Sequence, residues 1–249
     1  WLVLAWILPN QWYASLLGVP KVGDREEAGL LFTSGSSGQP KGVRLSHRNI
    51  LANLRQIEDA DILPDSAVLL SSLPVFHSFG FTIGLWYCLS RAPRLITLPS
   101  PLDAAAAVKA IKEEKVTVVV GTPTFLRPYL RRGTAADFVS LEWAVVGAEK
   151  CPADLVDAFA TQLETPVLEG YGITETSPVL AVNVPDRIDP EGPDGVWLGN
   201  VRGSVGRPVI GVAVRFLDPE TGELMPKTAT RVARGKKKAT RRLSLRASR

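Results

Sequence analysis

The sequence predicts a layered α/β fold for most of this chain. Between residues 29 and 217, short and mainly apolar runs alternate with amphipathic helical segments over short connections. This is the pattern of buried strands joined by helices. The length of 249 residues and the 45% apolar composition allow a sizeable core. A wholly disordered chain is therefore excluded.

Six short apolar runs predict the strands. They are three to five residues long and lie at 30–33, 67–71, 94–98, 116–120, 143–146 and 166–168. Helices are predicted between them, because Ser46 can cap a helix that runs to about residue 60 and Asp103 can cap another that runs to about residue 115. A third helix is predicted over 153–163, with Pro152 in its first turn, where proline is tolerated.

Glycine and proline punctuate the chain after Thr174, and short β-prone pieces there predict an antiparallel or barrel-like element. The clearest strand is expected over 209–217, followed by a turn at 218–222 that uses the proline and glycine it contains. The predicted parts are a preceding element over 1–28, cut at its N-terminus, an α/β core over 29–190, the start of a β-rich subdomain over 191–226, and a basic, disordered tail over 227–249.

Charge is divided unevenly along the chain. The formal net charge is +4, from 29 basic and 25 acidic residues, but residues 227–249 hold ten basic residues and no acid. The preceding 226 residues therefore carry 19 basic and 25 acidic residues, a net charge of −6. A function in binding nucleic acid or a membrane surface through overall charge would depend on the tail alone.

Cysteine use and the first residues exclude further classes of protein. Cys88 and Cys151 are too few and too far apart for a disulfide framework, a zinc site or an iron–sulfur cluster, and they favour a reducing, cytoplasmic environment. The apolar run 1–8 is far shorter than the roughly 20 residues that cross a bilayer, and no basic segment precedes it as in a signal peptide. The only methionine is Met225, so we expect either a processed product or, as the favoured alternative, a piece of a longer protein.

The strongest chemical signal is the run TSGSSGQPKG at 33–42. It follows a predicted strand and precedes the helix capped by Ser46, so backbone N–H groups and hydroxyls can converge on an anion beside Lys41. The run differs from the Walker pattern because no Gly-Lys-Ser/Thr closes it. From these residues alone, a phosphate-binding loop and a plain Gly/Ser surface loop both stay open.

Four stretches carry a resemblance to a known family. They are LFTSGSSGQPKGV at 31–43, LPVFHSFG at 73–80, VGAEK at 146–150 and EGYGITETSP at 169–178, with a weaker fifth, SVGRP, at 204–208. Over about residues 29–226 the chain resembles the adenylate-forming superfamily of acyl-CoA synthetases, luciferases and peptide-synthetase adenylation domains. The resemblance implies the layered α/β subdomains of that family's large N-terminal domain, with part of its β-barrel-like subdomain.

Within the superfamily, three segments resemble acyl-[acyl-carrier-protein] synthetases most, including the synthetase part of bifunctional 2-acylglycerophosphoethanolamine acyltransferases. These segments are HSFG at 77–80, TPTFLR at 122–127 and GAEK at 147–150. Medium- and long-chain acyl-CoA synthetases are the competing assignment. Either implies that a fatty carboxylate attacks ATP to give an acyl-adenylate and pyrophosphate, and that a thiol then takes the acyl group. The thiol would belong to CoA or to a phosphopantetheinyl acyl carrier protein.

The same resemblance assigns roles to particular residues. Thr174 would bond the α-phosphate, Glu175 would ligate Mg²⁺, His77 would border the acyl pocket and Tyr171 would stack on adenine. The catalytic candidates are Lys41, Thr174, Glu175 and His77. The β- and γ-phosphates would be held by Thr33, Ser34, Gly35, Ser36, Ser37, Gly38 and Lys41. The opposite wall of the adenine pocket would be formed by Gly147, Ala148 and Glu149, and Gly172 would let the backbone approach closely.

Taken singly, these residues have ordinary structural explanations. His77 would be a core histidine with a backbone partner, Tyr171 a half-buried aromatic beside a turn, and Glu175 a solvated surface acid. The joint spacing of the YGITE run at 171–175 favours the functional interpretation.

Several parts of the family pattern are missing after residue 226. The family continues with an aspartate that binds the ribose, a hinge arginine, and a small C-terminal domain whose lysine contacts the reacting groups. None of these is found in this sequence, so the C-terminal small domain is expected to be absent and the chain alone to be weak or inactive. Membrane association through missing flanking domains is a further expectation.

The tail over 227–249 allows three interpretations. It is a basic arm for nucleic acid or anionic lipid, a plain disordered end, or the product of a shifted reading frame near Met225. The tail has no aromatic residues for base stacking, which counts against nucleic acid. The abrupt loss of family resemblance favours the shifted frame. The alternative function is accordingly a noncatalytic protein that binds nucleotide, or that binds nucleic acid or membrane through this tail.

Overall fold

The structure, a computed structural model, describes residues 12, 15–18, 23–33, 39–63, 66–189, 195–218 and 220–225. Residues 34–38 of the proposed phosphate loop and the predicted tail at 227–249 lie outside this described part. The chain divides into two units, 1–210 and 211–249. The proposed boundaries at 28/29, 190/191 and 226/227 stay predictions.

Eleven strands are present in the described residues. They are β1 (Glu27–Thr33), β2 (Lys41–Ser46), β3 (Val68–Ser71), β4 (Arg94–Ile96), β5 (Val118–Gly121), β6 (Trp143–Val146), β7 (Val167–Gly172), β8 (Val179–Val182), β9 (Arg187–Ile188), β10 (Val196–Trp197) and β11 (Arg207–Pro208). Seven of them form one sheet in the order β11-β8-β7-β6-β5-β3-β4. The five strands from β7 to β4 run parallel, and β8 is antiparallel to both of its neighbours.

Each of the six predicted apolar runs contains or overlaps a strand, but the first lies elsewhere than expected. β1 pairs antiparallel with β2 in a two-stranded hairpin outside the large sheet. The sequence analysis missed β2, because its KGVRLS sequence carries two basic residues and a glycine instead of an apolar run.

Helices cover the sheet and connect its strands. They are α1 (His47–Asp59), α2 (Cys88–Arg91), α3 (Ala104–Glu114), α4 (Pro123–Leu126), α5 (Tyr129–Arg132) and α6 (Ala153–Leu163). A π-helix spans Gly80–Tyr87, and single 3₁₀ turns span Ala135–Asp137 and Thr174–Thr176. The layered α/β class predicted from the sequence is therefore confirmed.

The helix caps follow the sequence closely. The Ser46 hydroxyl accepts from the backbone N–H of Asn49 at 3.2 Å, while the Asn49 side chain accepts from the backbone N–H of Ser46 at 3.0 Å. Asp103 caps α3 by accepting from the N–H of Ala106 at 2.9 Å. Pro152 occupies the N-cap of α6 with extended backbone (φ −69°, ψ 137°) instead of the first turn, because the loop before it is still extended.

The two faces of the sheet have different neighbours. Val119 and Ala144 point into a core that includes Ile111 of α3 and Phe159 of α6. The next side chains along the strands point the other way, because successive residues of a strand face opposite sides. Val120 and Val145 accordingly face the π-helix and line a pocket there together with Ile83. The buried sheet thus supplies the floor of the pocket.

The glycine-rich region contains less strand than predicted. The expectation of a strand over 209–217 is wrong, since residues 209–216 form none. Gly206 and Gly211 have positive φ values of 86° and 81°, which turn the chain on either side of β11. The predicted turn at 218–222 is confirmed: the N–H of Gly222 donates to the carbonyl of Asp218 at 2.8 Å. Leu217 and Leu224 bridge on either side of it.

No helix in the described part of the chain combines the length and the apolar character that a bilayer crossing requires.

Candidate functional site

A pocket at the carboxyl ends of the parallel strands gathers residues from three of the motifs. We call it the central pocket. Its lining residues are Ile62, Leu63, His77, Ser78, Phe79, Ile83, Val120, Val145, Val146, Gly147, Ala148, Gly170, Tyr171, Gly172, Pro178, Val179 and Val182. Crevices outside the carboxyl ends of parallel strands are where open α/β sheets bind ligands. Buried aliphatic residues form one part of the pocket, and motif residues form the other.

The loop after β6 forms one wall of the central pocket. Gly147 lies against the aromatic ring of Phe79, and a Cβ atom added to it would sit 3.3 Å from that ring. Ala148 follows in the left-handed region at φ 65°, which turns the backbone sharply after the strand. The structure thus brings Gly147 and Ala148 to the pocket, as the resemblance predicted.

β7 forms the facing wall and carries Tyr171, which is 37% exposed and lines the pocket. A planar, partly exposed aromatic ring at this position is suited to stacking on a ligand base. Gly172 follows, and an added Cβ would sit 2.1 Å from the carbonyl oxygen of Pro178. No other residue fits at Gly172 without moving the backbone. Gly170 is less restricted, because its nearest neighbour would lie 3.4 Å away in ordinary contact.

Hydrogen bonds join the turn after β7 to the segment before the π-helix. The Thr174 hydroxyl donates to the hydroxyl of Ser78 at 3.3 Å, and Ser78 is buried. Thr82 of the π-helix donates to the carbonyl of Ser177 at 2.8 Å from a fully buried position. Ser78 lies in the 77–80 segment without a predicted role, and Thr82 lies outside the motifs, so neither contact was predicted from the sequence.

His77 lies at the exposed end of the central pocket. Its Nδ1 accepts from the backbone N–H of Phe79 at 3.3 Å, so the neutral ring carries its proton on Nε2. The alternative of a buried core histidine is excluded by this exposure.

Glu149 lies apart from the central pocket. Its carboxylate accepts from the Thr124 hydroxyl at 2.6 Å and borders a neighbouring cleft. Of the three residues expected to form this wall, Gly147 and Ala148 line the central pocket and Glu149 does not. Thr124, which fixes the Glu149 side chain, lies in the 122–127 segment, and the sequence indicated no role for it.

Thr33 and Lys41 hold the two ends of the glycine-rich loop. They pair across the hairpin at the last position of β1 and the first of β2. β2 also contacts the turn Thr174–Thr176. Lys41 is exposed. The intervening predicted residues Ser34, Gly35, Ser36, Ser37 and Gly38 lie outside the described part of the chain.

Glu175 is exposed in the same turn and makes no hydrogen bond or ion pair within the described residues. A free carboxylate is the ligand type that Mg²⁺ prefers, completed by phosphate oxygens and water. The described part of the chain contains no group of three or more His, Cys, Asp or Glu residues that would hold a metal by itself. A metal at Glu175 would therefore need oxygen ligands from a bound phosphate.

Glu169 begins the fourth motif and lies next to the pocket strand residues. Burial raises the pKa of its carboxyl, and the hydrogen bond that it accepts from the Cys151 N–H at 3.3 Å works in the opposite direction.

Burial also raises the pKa of both thiols, Cys88 and Cys151, to about 11. The cysteines are therefore protonated at neutral pH and are poor nucleophiles.

Fold and pocket together define the class: a layered α/β domain with a ligand pocket at the carboxyl edge of a parallel sheet. The model of the AMP-binding enzyme family matches residues 10–235, and the chain belongs to that family. The match extends beyond the stretch of about 29–226 over which the motifs show the resemblance.

Curated relatives and solved structures agree with this assignment. The chain is 30% identical over 214 residues to a long-chain-fatty-acid–CoA ligase of Bacillus subtilis, covering 84% of this chain and 36% of the relative. It is 32% identical over 208 residues to a medium-chain-fatty-acid–CoA ligase of Ectopseudomonas oleovorans, covering 81% and 37%. The ATP-bound structure of MatB from Rhodopseudomonas palustris superposes with a TM-score of 0.71 at 29% identity, covering 83% of this chain and 39% of that one.

The chain therefore spans a little over a third of the length of the relatives that it matches. The fold corresponds to part of the N-terminal domain of adenylate-forming enzymes.

Proposed function

We propose that this chain is the nucleotide- and acyl-binding part of an ATP-dependent fatty acid–CoA ligase. The observation that carries the proposal is the central pocket, in which buried aliphatic side chains and residues of three of the motifs share a single crevice. An acyl-adenylate has the same division, with an aliphatic tail on one side and a nucleotide on the other. The names of the curated relatives, which are fatty-acid–CoA ligases, support this substrate class.

The nucleotide would occupy the motif-lined part of the pocket. Tyr171 would stack on adenine against the wall formed by Gly147 and Ala148. Thr174 would donate to the α-phosphate, and the glycine-rich loop from Thr33 to Lys41 would hold the β- and γ-phosphates with Ser34, Gly35, Ser36, Ser37 and Gly38. Glu149 would contribute to the adenine pocket only by positioning the backbone of its loop, since its carboxylate is hydrogen-bonded to the Thr124 hydroxyl.

The acyl chain would occupy the apolar part. Ile62, Leu63 and Ile83 are buried there opposite the strand valines. Each methylene transferred from water to such a surface contributes about 0.8 kcal/mol. His77 borders the pocket from its exposed end and would lie near the carboxylate.

The remaining candidates, Lys41 and Glu175, would balance the negative charge of the phosphates. Attack on the α-phosphorus gathers negative charge, which Lys41 and a metal ion held by Glu175 would offset. Bound Mg²⁺ would supply electrostatic stabilisation of the phosphates. The free carboxylate of Glu175 fits that role.

CoA is the proposed acceptor, in keeping with the relatives. The resemblance of the segments 77–80, 122–127 and 147–150 to acyl-[acyl-carrier-protein] synthetases makes the acyl carrier protein the alternative acceptor. Titrating CoA and the phosphopantetheinyl carrier protein separately onto the chain, loaded with a non-hydrolysable acyl-adenylate analogue, distinguishes the two. Binding of the carrier protein in preference to CoA would contradict the CoA assignment.

Calorimetric titration of the chain with Mg²⁺·ATP tests the nucleotide site. We expect saturable binding that weakens about tenfold in Lys41→Ala, which removes a positive charge from the phosphates, and in Glu175→Ala, which removes the proposed metal ligand. Lys109→Ala and Glu142→Ala are matched controls, because both residues are exposed and lie outside the central pocket. Absence of saturable binding, or equal weakening in the controls, would contradict the proposal.

A further inference from the structure

A second cleft lies next to the central pocket, and the loop after β6 contributes to both. We call it the basic cleft. It is lined by Thr124, Arg127, Arg131, Glu149 and Lys150, with three prolines between them. These residues follow β5 and β6, two adjacent parallel strands, so the basic cleft also lies at the carboxyl edge of the sheet.

Two of the three cations in the basic cleft form no ion pair within the described residues, although the charge of Lys150 also acts on the nearby Glu169 carboxyl. Arg127 forms a two-pronged ion pair with Asp154, at 2.8 Å and 3.1 Å, and that pair neutralises it. Arg131 and Lys150 are exposed, and neither forms an ion pair within the described residues. Glu149 is the one acid that lines the cleft, and its carboxylate is turned to the Thr124 hydroxyl. The cleft therefore keeps a local positive charge.

This local charge contrasts with the rest of the molecule. The first 226 residues carry a net charge of −6, and the described arginines elsewhere are often paired, as in Arg187 with Asp61 and Arg202 with Asp157. Two unpaired cations beside one fixed carboxylate are therefore a feature of this cleft and do not follow from a generally basic surface. The prolines contribute rigid walls, because their φ angles are fixed.

We propose that the basic cleft binds the phosphate group of a small phosphorylated ligand through Arg131 and Lys150. A guanidinium offers paired N–H donors that match phosphate oxygens, and an ammonium adds a compact point charge. A phosphate dianion carries enough charge to satisfy both cations, whereas a single carboxylate does not. The site is separate from the proposed nucleotide site, because neither cation lines the central pocket.

The experiment is a titration with inorganic phosphate and, in parallel, with glycerol 3-phosphate, followed by backbone amide NMR shifts of the whole chain in a phosphate-free buffer. We expect saturable shifts at residues 124–131 and 147–152. In the double variant Arg131→Gln/Lys150→Gln we expect the dissociation constant to rise at least about tenfold, since both charged donors are removed.

A matched double variant controls for total charge. Arg55 and Lys109 are exposed, have no ion pair within the described residues and lie outside the cleft, so Arg55→Gln/Lys109→Gln should leave the titration unchanged. Shifts that stay linear with concentration, shifts confined to other residues, or an unchanged dissociation constant in Arg131→Gln/Lys150→Gln would overturn the proposal. Binding of inorganic phosphate without glycerol 3-phosphate would overturn the assignment to a phosphorylated ligand. Loss of ATP binding in Lys41→Ala has no bearing on these outcomes.

Discussion

Thr174 and Ser78 are 96 residues apart in the chain, and their hydroxyls meet at 3.3 Å beside the central pocket. Ser78 is buried, and its hydroxyl has this one hydrogen bond among the described residues. Thr174 begins the turn that also carries Glu175. The contact therefore ties the two motifs together and sets the direction in which the Thr174 hydroxyl points.

We expect Ser78→Ala to lower the free energy of unfolding by about 1 kcal/mol, because the half-buried Thr174 hydroxyl loses its partner. Urea unfolding of Ser78→Ala, Thr174→Val and the double variant measures the coupling between them. The double variant should cost less than the sum of the two single variants by at least about 0.5 kcal/mol. Strict additivity would show that the two hydroxyls do not interact.

A second buried polar side chain, that of Asn53, links α1 to the sheet through hydrogen bonds. The Asn53 side chain donates to the Val179 carbonyl at 2.8 Å and accepts from the Val179 N–H at 3.1 Å. It also donates to Gln56. Asn53 is 2% exposed, so water cannot replace the missing side chain.

We expect Asn53→Ala to destabilise the protein by about 2–3 kcal/mol, since two backbone groups of β8 lose their partner. Arg55→Ala on the exposed side of α1 is the control, and it should change the free energy of unfolding by less than about 0.5 kcal/mol. The same urea titration measures both. A change of similar size in the two variants would contradict the role assigned to Asn53.

Glu169 gives the protein a pH dependence whose sign follows from its raised pKa. Because the carboxyl binds its proton more tightly in the folded than in the unfolded protein, stability falls as the pH rises from the unfolded pKa through the folded pKa. Burial causes this shift, since it disfavours the charged form.

Glu169→Gln should remove that dependence, because the amide is neutral and its oxygen still accepts from the Cys151 N–H. We expect the variant to be more stable than the parent at pH 7–8, and the difference to shrink as the pH falls below the unfolded pKa. Thermal unfolding between pH 4 and pH 8 measures it. The exposed Glu142→Gln controls for the loss of one negative charge. A difference that grows toward low pH would contradict the assignment.

Local signals predicted much of this fold, and pairings between distant residues account for what was missed. The caps at Ser46 and Asp103 were predictable because a cap involves residues three positions apart. The β1–β2 hairpin was not, because β2 has no apolar run and is stabilised by its partner strand. The expected strand at 209–217 failed for the complementary reason, since an apolar run without a neighbouring strand gains no ladder of hydrogen bonds.

In the candidate site, too, local motifs indicated some residues, while contacts between distant residues were not predictable. The structure brings five of the motif residues to one pocket, while their roles stay predictions: His77, Gly147, Ala148, Tyr171 and Gly172. The orientation of Glu149 was not predictable, because it depends on Thr124, which lies 25 residues earlier on the neighbouring connection. The π-helix at Gly80–Tyr87 also had no signal in the sequence, since its backbone hydrogen bonds span five residues instead of the four of an α-helix.

The two cysteines provide a test of the packing on both faces of the sheet. Cys88 is 9% exposed and Cys151 is 8% exposed. Burial raises the pKa of each thiol to about 11, so the reactive thiolate is scarce at pH 8. We expect iodoacetamide to modify neither cysteine appreciably while the protein is folded, and to modify both after urea is added. Ala105→Cys on the exposed face of α3 is the positive control, because its thiol is open to solvent. Mass spectrometry of the digested protein counts the adducts at each position. Modification of Cys88 or Cys151 in the folded protein at the rate of the control would contradict the burial of that thiol.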